Sequence, residues 1–176
     1  RLRGDAPLPS SCRIVIGVDP SVSGTGDETG IVVCAYDGHF AWVLEDASLQ
    51  ATPDAWARRV IQAVRYWHAD AVVAEVNQGG DMVTTLLRHH DPTLRVLQVR
   101  ASKGKWTRAE PISALYEQGR VRHRGEFPLL EEQMTNYTGS LTADSPDRLD
   151  AAVWALTELF AVDSDTMDLV TALPTT

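Results

Sequence analysis

The stretch "RIVIGVDPSVSGTGDETGIVVCAYDGHFAWVLEDA", residues 13–47, decides the architecture. "RIVIGVD" is a β-branched run that stops at an acid, Asp19. "PSVSGTGDETG" then supplies a proline and several glycines, and "GIVVCAY" is a second strand. Asp37-Gly38 is a strong hairpin signal, so "HFAWVLEDA" forms a third strand. Three antiparallel strands are therefore expected at the start of the fold.

From Pro53 the period changes. Trp56, Val60, Ile61, Val64 and Trp67 recur at helical spacing, with Thr52 as N-cap and Pro53 at the first helical position. "ADAVVAEVN" is almost continuously apolar, as a buried parallel strand should be. A helix over about Asp81 to His90 follows, then the strand "LRVLQVR" and a helix from about Trp106 to Gln118 that stops at Gly119. The last helix opens at "SPDRLDAAVWALTELF", with Ser145 as N-cap, Pro146 at N1, and an apolar stripe of Leu149, Val153, Leu156 and Phe160. The order β-β-β-α-β-α-β-α-α implies an α/β fold, a mixed sheet with helices on both faces, which is the ribonuclease H-like layout.

Composition fits one such domain: 176 residues, 44% hydrophobic and 23% charged. Residues 1–12, with Gly4, Pro7 and Pro9, read as a linker or leader, 13–162 as the folded domain, and 163–176 as an acidic, flexible tail with Asp163, Asp165 and Asp168. Two cysteines, Cys12 and Cys34, are too few for a disulfide-stapled secreted fold. No apolar run approaches the roughly 20 residues of a membrane helix, and "RLRGDAPLPSSC" lacks the apolar centre of a signal peptide, so a soluble, cytoplasmic protein is expected. The formal net charge of -8 argues against sequence-independent nucleic-acid binding by the molecule as a whole. Between Arg100 and Arg124, however, seven bases (Arg100, Lys103, Lys105, Arg108, Arg120, Arg122, Arg124) face two acids, Glu110 and Glu117, and a locally basic face is expected there.

Three acids interrupt this pattern. Asp19 ends the first strand, where its side chain could cap the following turn. Glu75 lies within an apolar strand, and an unpaired buried carboxylate costs several kcal/mol, so a cation is expected beside it: a buried Arg or a divalent metal. Asp147 and Asp150 fall in the first turns of the last helix, where acids also favour the helix dipole. Helical geometry sets Asp150 beside the apolar stripe and Asp147 away from it, yet a first-turn residue can reach over the helix end. If the first strand is central and "AVVAEVN" runs parallel beside it, Asp19 and Glu75 share one end of the sheet. Converging carboxylates need a neutralising cation. All-oxygen ligation suits Mg²⁺ or Mn²⁺, and the implied chemistry is two-metal phosphoryl transfer.

Other candidates are weaker. His39, His68, His89, His90 and His123 show no zinc-ligand spacing with the cysteines. The glycine-rich "SVSGTGDETG" is not a P-loop, since no "GK[ST]" follows. Asp27 and Glu28 within it are read as turn acids, with a further metal contact as the alternative.

Four motifs together resemble a known family: "GVDPSVSGTGDETGIVV", "VVAEVNQGGDMV", "KGKWTRAEPISALYEQGRV" and "SPDRLDAAVWAL". In order and spacing they are similar to the C-terminal nuclease domain of the large terminase subunit of tailed bacteriophages, over about Arg13 to Phe160. The resemblance implies that Asp19, Glu75 and Asp147 are the catalytic, metal-ligating acids, with Asp150 accompanying them, and that two divalent ions, Mg²⁺ or Mn²⁺, are the cofactors. It implies cleavage of concatemeric double-stranded DNA during genome packaging in the cytoplasm of an infected bacterium. It implies as partners an upstream packaging ATPase domain, a small terminase subunit and a portal. No Walker A sequence occurs in these residues, and residues 1–12 look like the end of an interdomain linker. Lys103, Lys105 and Arg108 would then hold DNA phosphates, with Gln78, Gly79 and Gly80 allowing close backbone approach. The competing readings are a Holliday-junction resolvase or transposase-like nuclease of the same fold, a lobe of an actin- or sugar-kinase-like ATPase, and a catalytically idle DNA-binding module.

Overall fold

The computed structural model describes Leu8 and residues 11–20, 28–76, 80–100, 105–136 and 146–171. In chain order these form β1 (Arg13–Asp19), β2 (Glu28–Tyr36), β3 (Ala41–Asp46), β4 (Leu49–Gln50), α1 (Pro53–Trp67), β5 (Ala71–Glu75), α2 (Gly80–His90), β6 (Val96–Val99), α3 (Lys105–Glu117), β7 (Val121–His123), α4 (Pro128–Asn136) and α5 (Asp147–Thr171).

The expected meander is present. β1 pairs antiparallel with β2 and β2 with β3, and the turn between the latter two uses Gly38 at φ 94° while the Asp37 carboxylate accepts from the His39 and Phe40 N–H groups. β5 lies parallel beside β1, and the sheet runs β6-β5-β1-β2-β3-β7, with the two-residue β4 pairing with β2. β1 is thus central. Alternation along the strands sorts side chains onto two faces. Ile16, Val18, Ile31 and Val33 pack with Trp56, Val60 and Ile61 of α1 on one face. Val15, Val32, Cys34 and Val73 pack with α5 on the other, together with Ile112 of α3 and Leu130 of α4.

Three elements go beyond the expected order: β4, β7 and α4. β7 adds a parallel strand beside β3, and α4 shelters the α5 face. Thr52 occupies the N-cap position of α1 with Pro53 behind it, but its side chain makes no capping bond. The helical backbone of α5 continues through Thr171. The described arginines of the basic stretch do not form one face. Arg100 follows β6 and Arg120–Arg124 flank β7, at opposite edges of the sheet. Five strand spacings separate those edges by roughly 24 Å, more than twice the screening length at physiological salt. Two of these arginines are also engaged: Arg120 lies over the Phe160 ring and Arg122 over Phe40.

Candidate functional site

The site is assembled by strand register and one helix. Val18 pairs with Ala74 in the β1/β5 ladder, so the next residues, Asp19 and Glu75, end two adjacent parallel strands at one level. Both belong to the α5 face. Glu75 shares its alternation with Val73, and Asp19 shares its alternation with Val15 and Gly17.

Two glycines bring α5 down onto that face. A Cβ at Gly17 would stand 1.9 Å from the Ala151 carbonyl oxygen, and one at Gly30 would stand 1.9 Å from that of Asp147. Gly30 is the register partner of Asp19. The absent side chain at Gly30 therefore lets the first residue of α5, an acid, settle against the pair that carries the first acid. The sheet end and the α5 N-terminus meet for this backbone reason.

The same helix end is locked by Arg148. Its buried guanidinium donates from Nε to Glu28 Oε2 at 2.8 Å, from Nη2 to Glu28 Oε1, and from Nη1 to Asp46 Oδ2 at 2.6 Å. Burial works against its charge, but the bonds to Glu28 and Asp46 outweigh that and raise its pKa further. Glu28, expected in a turn, is thus a strand residue holding a helix to β2. The Leu149 N–H, one of the donors a helix start leaves over, is accepted by Gln133 Oε1 of α4 at 3.1 Å.

Glu75 is 7% exposed, and its partner among the described residues is an indole: Trp154 Nε1 donates to Oε2 at 2.7 Å. Arg108 of α3 lies over the Trp154 ring, 4.7 Å from its centroid, and its Nη2 stands 3.8 Å from Asp150 Oδ1. Asp150 is buried at 5% exposure, while Asp147 is half-buried. Arg108 is not the solvated charge that a helix start suggests. Its side chain is 10% exposed, and its Nη1 is buried without a hydrogen-bond partner among the described residues. Lys105 opens α3, but its side chain, like Lys103, Gln78, Gly79 and Asp27, lies outside the described residues, and of Gly80 only its place at the start of α2 is described.

The donor set suits a hard divalent cation, since every candidate ligand is a carboxylate oxygen. The backbone brings the acids to one end and one face. Among the described residues, though, no three His, Cys, Asp or Glu side chains stand as a ready-made metal cluster. Like charges cannot close up without a cation between them, and here Glu75 and Asp150 are engaged by Trp154 and Arg108 instead. Sequence reasoning missed Trp154, Arg148 and Gly30. Trp154 carried a signal: it stands four residues after Asp150, hence on the same helical side, and a buried indole N–H needs an acceptor.

With this geometry the chain can be placed. Residues 16–159 match the terminase RNaseH-like domain family, and the chain belongs to it. Solved structures share the fold. The nuclease domain of the P22 large terminase superposes with a TM-score of 0.67 at 14% identity, covering 92% of this chain and 88% of that one. The large terminase nuclease from thermophilic phage G20c superposes at 0.63 with 16% identity, over 85% and 84%, and that protein has also been solved with bound zinc and with bound cobalt. The large terminase of another thermophilic bacteriophage superposes at 0.67 with 11% identity, over 89% of this chain but 41% of that one. No curated protein matches by sequence. None of the described helices is long and apolar enough to cross a membrane.

Proposed function

We propose that this domain is a metal-dependent endonuclease that cuts double-stranded viral DNA during genome packaging in the infected bacterial cell. One observation carries the reading: register and the Gly30 gap bring Asp19, Glu75 and the α5 N-terminus to the same end and face of the sheet. Asp19, Glu75 and Asp147 would hold two divalent ions, Mg²⁺ or Mn²⁺. Asp150 is the auxiliary acid, already facing Arg108. Such ions supply Lewis-acid polarisation of a phosphoryl oxygen and a water acidified for in-line attack.

The chain's own residues do the rest. The three carboxylates fix the ligand directions, Arg148 fixes the helix that carries Asp147, and Lys103 and Lys105 hold the phosphate backbone by charge. The bound metals in the G20c structures support divalent binding in this fold. This chain covers 41% of the second thermophilic phage's large terminase, which supports a packaging ATPase domain as its neighbour, with the small subunit and portal as further partners. The test is plasmid cleavage by the 176-residue chain. Linear and degraded products are expected with Mn²⁺ or Mg²⁺ and none in EDTA. Undiminished cutting in EDTA overturns the two-metal account.

A further inference from the structure

We infer that Trp154 is the positioning residue for Glu75, and that Arg108 holds Trp154 in that role. The inference rests on the metal-dependent reading above and adds residues to which that reading assigns nothing. A glutamate at a strand end has three rotatable bonds, and a carboxylate that must meet an ion within a few tenths of an ångström gains from being fixed beforehand. The indole N–H takes one oxygen of Glu75, Oε2, at 2.7 Å. Among the described residues that leaves Oε1 to face a cation.

The indole is in turn held by its own helix and by Arg108. Its backbone belongs to α5, where every residue from 148 to 156 is buried. Its ring face carries the Arg108 guanidinium at 4.7 Å, a contact worth more when desolvated, as it is here. That guanidinium also faces Asp150, four residues before Trp154 on the same helix. The chain Asp150–Arg108–Trp154–Glu75 thus runs from one acid of the site to another through α3. It explains why a motif on a separate helix, "TRAEP", bears on the acids.

An indole bonded to a metal-ligating carboxylate is also a reporter. In the ¹H–¹⁵N spectrum of the wild-type chain, one of five tryptophan indole signals should be displaced by Glu75→Gln and be the first broadened by substoichiometric Mn²⁺. Trp154→Phe keeps the ring and the guanidinium contact but deletes the donor. Partners that orient metal ligands are typically worth tenfold or more in affinity, so Mn²⁺ binding followed by electron paramagnetic resonance should weaken about tenfold, with the melting temperature as the control for folding. Trp154→Phe binding Mn²⁺ as tightly as wild type, while Glu75→Gln does not, overturns the positioning role alone. So does a Trp154 indole signal that Mn²⁺ leaves sharp while others broaden, which needs no variant to fold. A wild-type chain that binds no Mn²⁺ overturns both this role and the proposed function.

Discussion

Two buried polar clusters lie on the α5 side of the sheet, and they differ in how their charges are matched. Around β7, His123 is fully buried between Tyr116 and Glu131. Burial pushes the Tyr116 phenol well above its ordinary pKa, so it stays protonated and donates to His123 Nε2 at 2.8 Å. The opposite ring nitrogen, Nδ1, then donates to Glu131 at 2.9 Å. Each donor meets an acceptor, and α3, β7 and α4 are joined. Near the ends of β1 and β5 a buried arginine is matched less completely. There the Arg108 guanidinium lies on the Trp154 ring and 3.8 Å from Asp150 Oδ1, and its Nη1 is buried with no hydrogen-bond partner among the described residues. A polar network in which each donor meets an acceptor stabilises a fold, whereas a buried donor left over calls for a further partner.

The contrast is broken or sharpened by substitution. The largest effect is expected at the acids: Asp19→Asn, Glu75→Gln and Asp147→Asn each abolish cleavage while circular dichroism and melting stay near wild type, and Asp150→Asn is milder. If Asp150→Asn is inactive and Asp147→Asn active, the two acids exchange roles.

Gly30→Ala comes next, because its Cβ would meet backbone rather than a yielding side chain. It should cost roughly 1–3 kcal/mol or more in chemical denaturation and also lower cleavage, since relief requires moving the α5 N-terminus from Asp19. His123→Ala should do the first without the second. Stranding Tyr116 and Glu131 costs roughly 1–3 kcal/mol of stability, with cleavage per folded molecule unchanged. Loss of cleavage in a folded His123→Ala chain would mean that the two clusters are coupled.

How far the sequence reveals this division depends on the element. β1, β2, β5 and α1 are legible because each has one face in one environment, and their periods are undisturbed. β7 is three residues long, too short for alternation to register, and α4 has Leu130 as its fully buried anchor while Leu129 is 55% exposed. α5 misleads for the opposite reason. It is enclosed by the sheet on one side and by α3 and α4 on the other, so a stripe of Leu149, Val153, Leu156 and Phe160 describes only part of what it buries. That is why helical phase cannot choose between Asp147 and Asp150. Asp19 and Glu75 stand out as acids in apolar strands, but the glycine gap that joins them to α5 is a matter of tertiary packing. The surplus of bases over 100–124 reads as one patch only until the sheet order separates its halves.

The smallest effect is expected at what remains of that patch. Lys103→Glu with Lys105→Glu should weaken DNA binding at low salt and reduce the slope of log affinity against log salt by roughly 2, about one unit per lost phosphate contact. Mn²⁺ affinity should not change. An unaltered slope would assign DNA contact to another surface.

The central claim is that the acids at this sheet end are a metal site, and anomalous diffraction from crystals of the chain soaked in Mn²⁺ tests it most directly. The account predicts two peaks roughly 3.5–4 Å apart, ligated by Asp19, Glu75 and Asp147, with the Trp154–Glu75 bond intact. Peaks confined to other carboxylates, with this sheet end free of manganese, would contradict it.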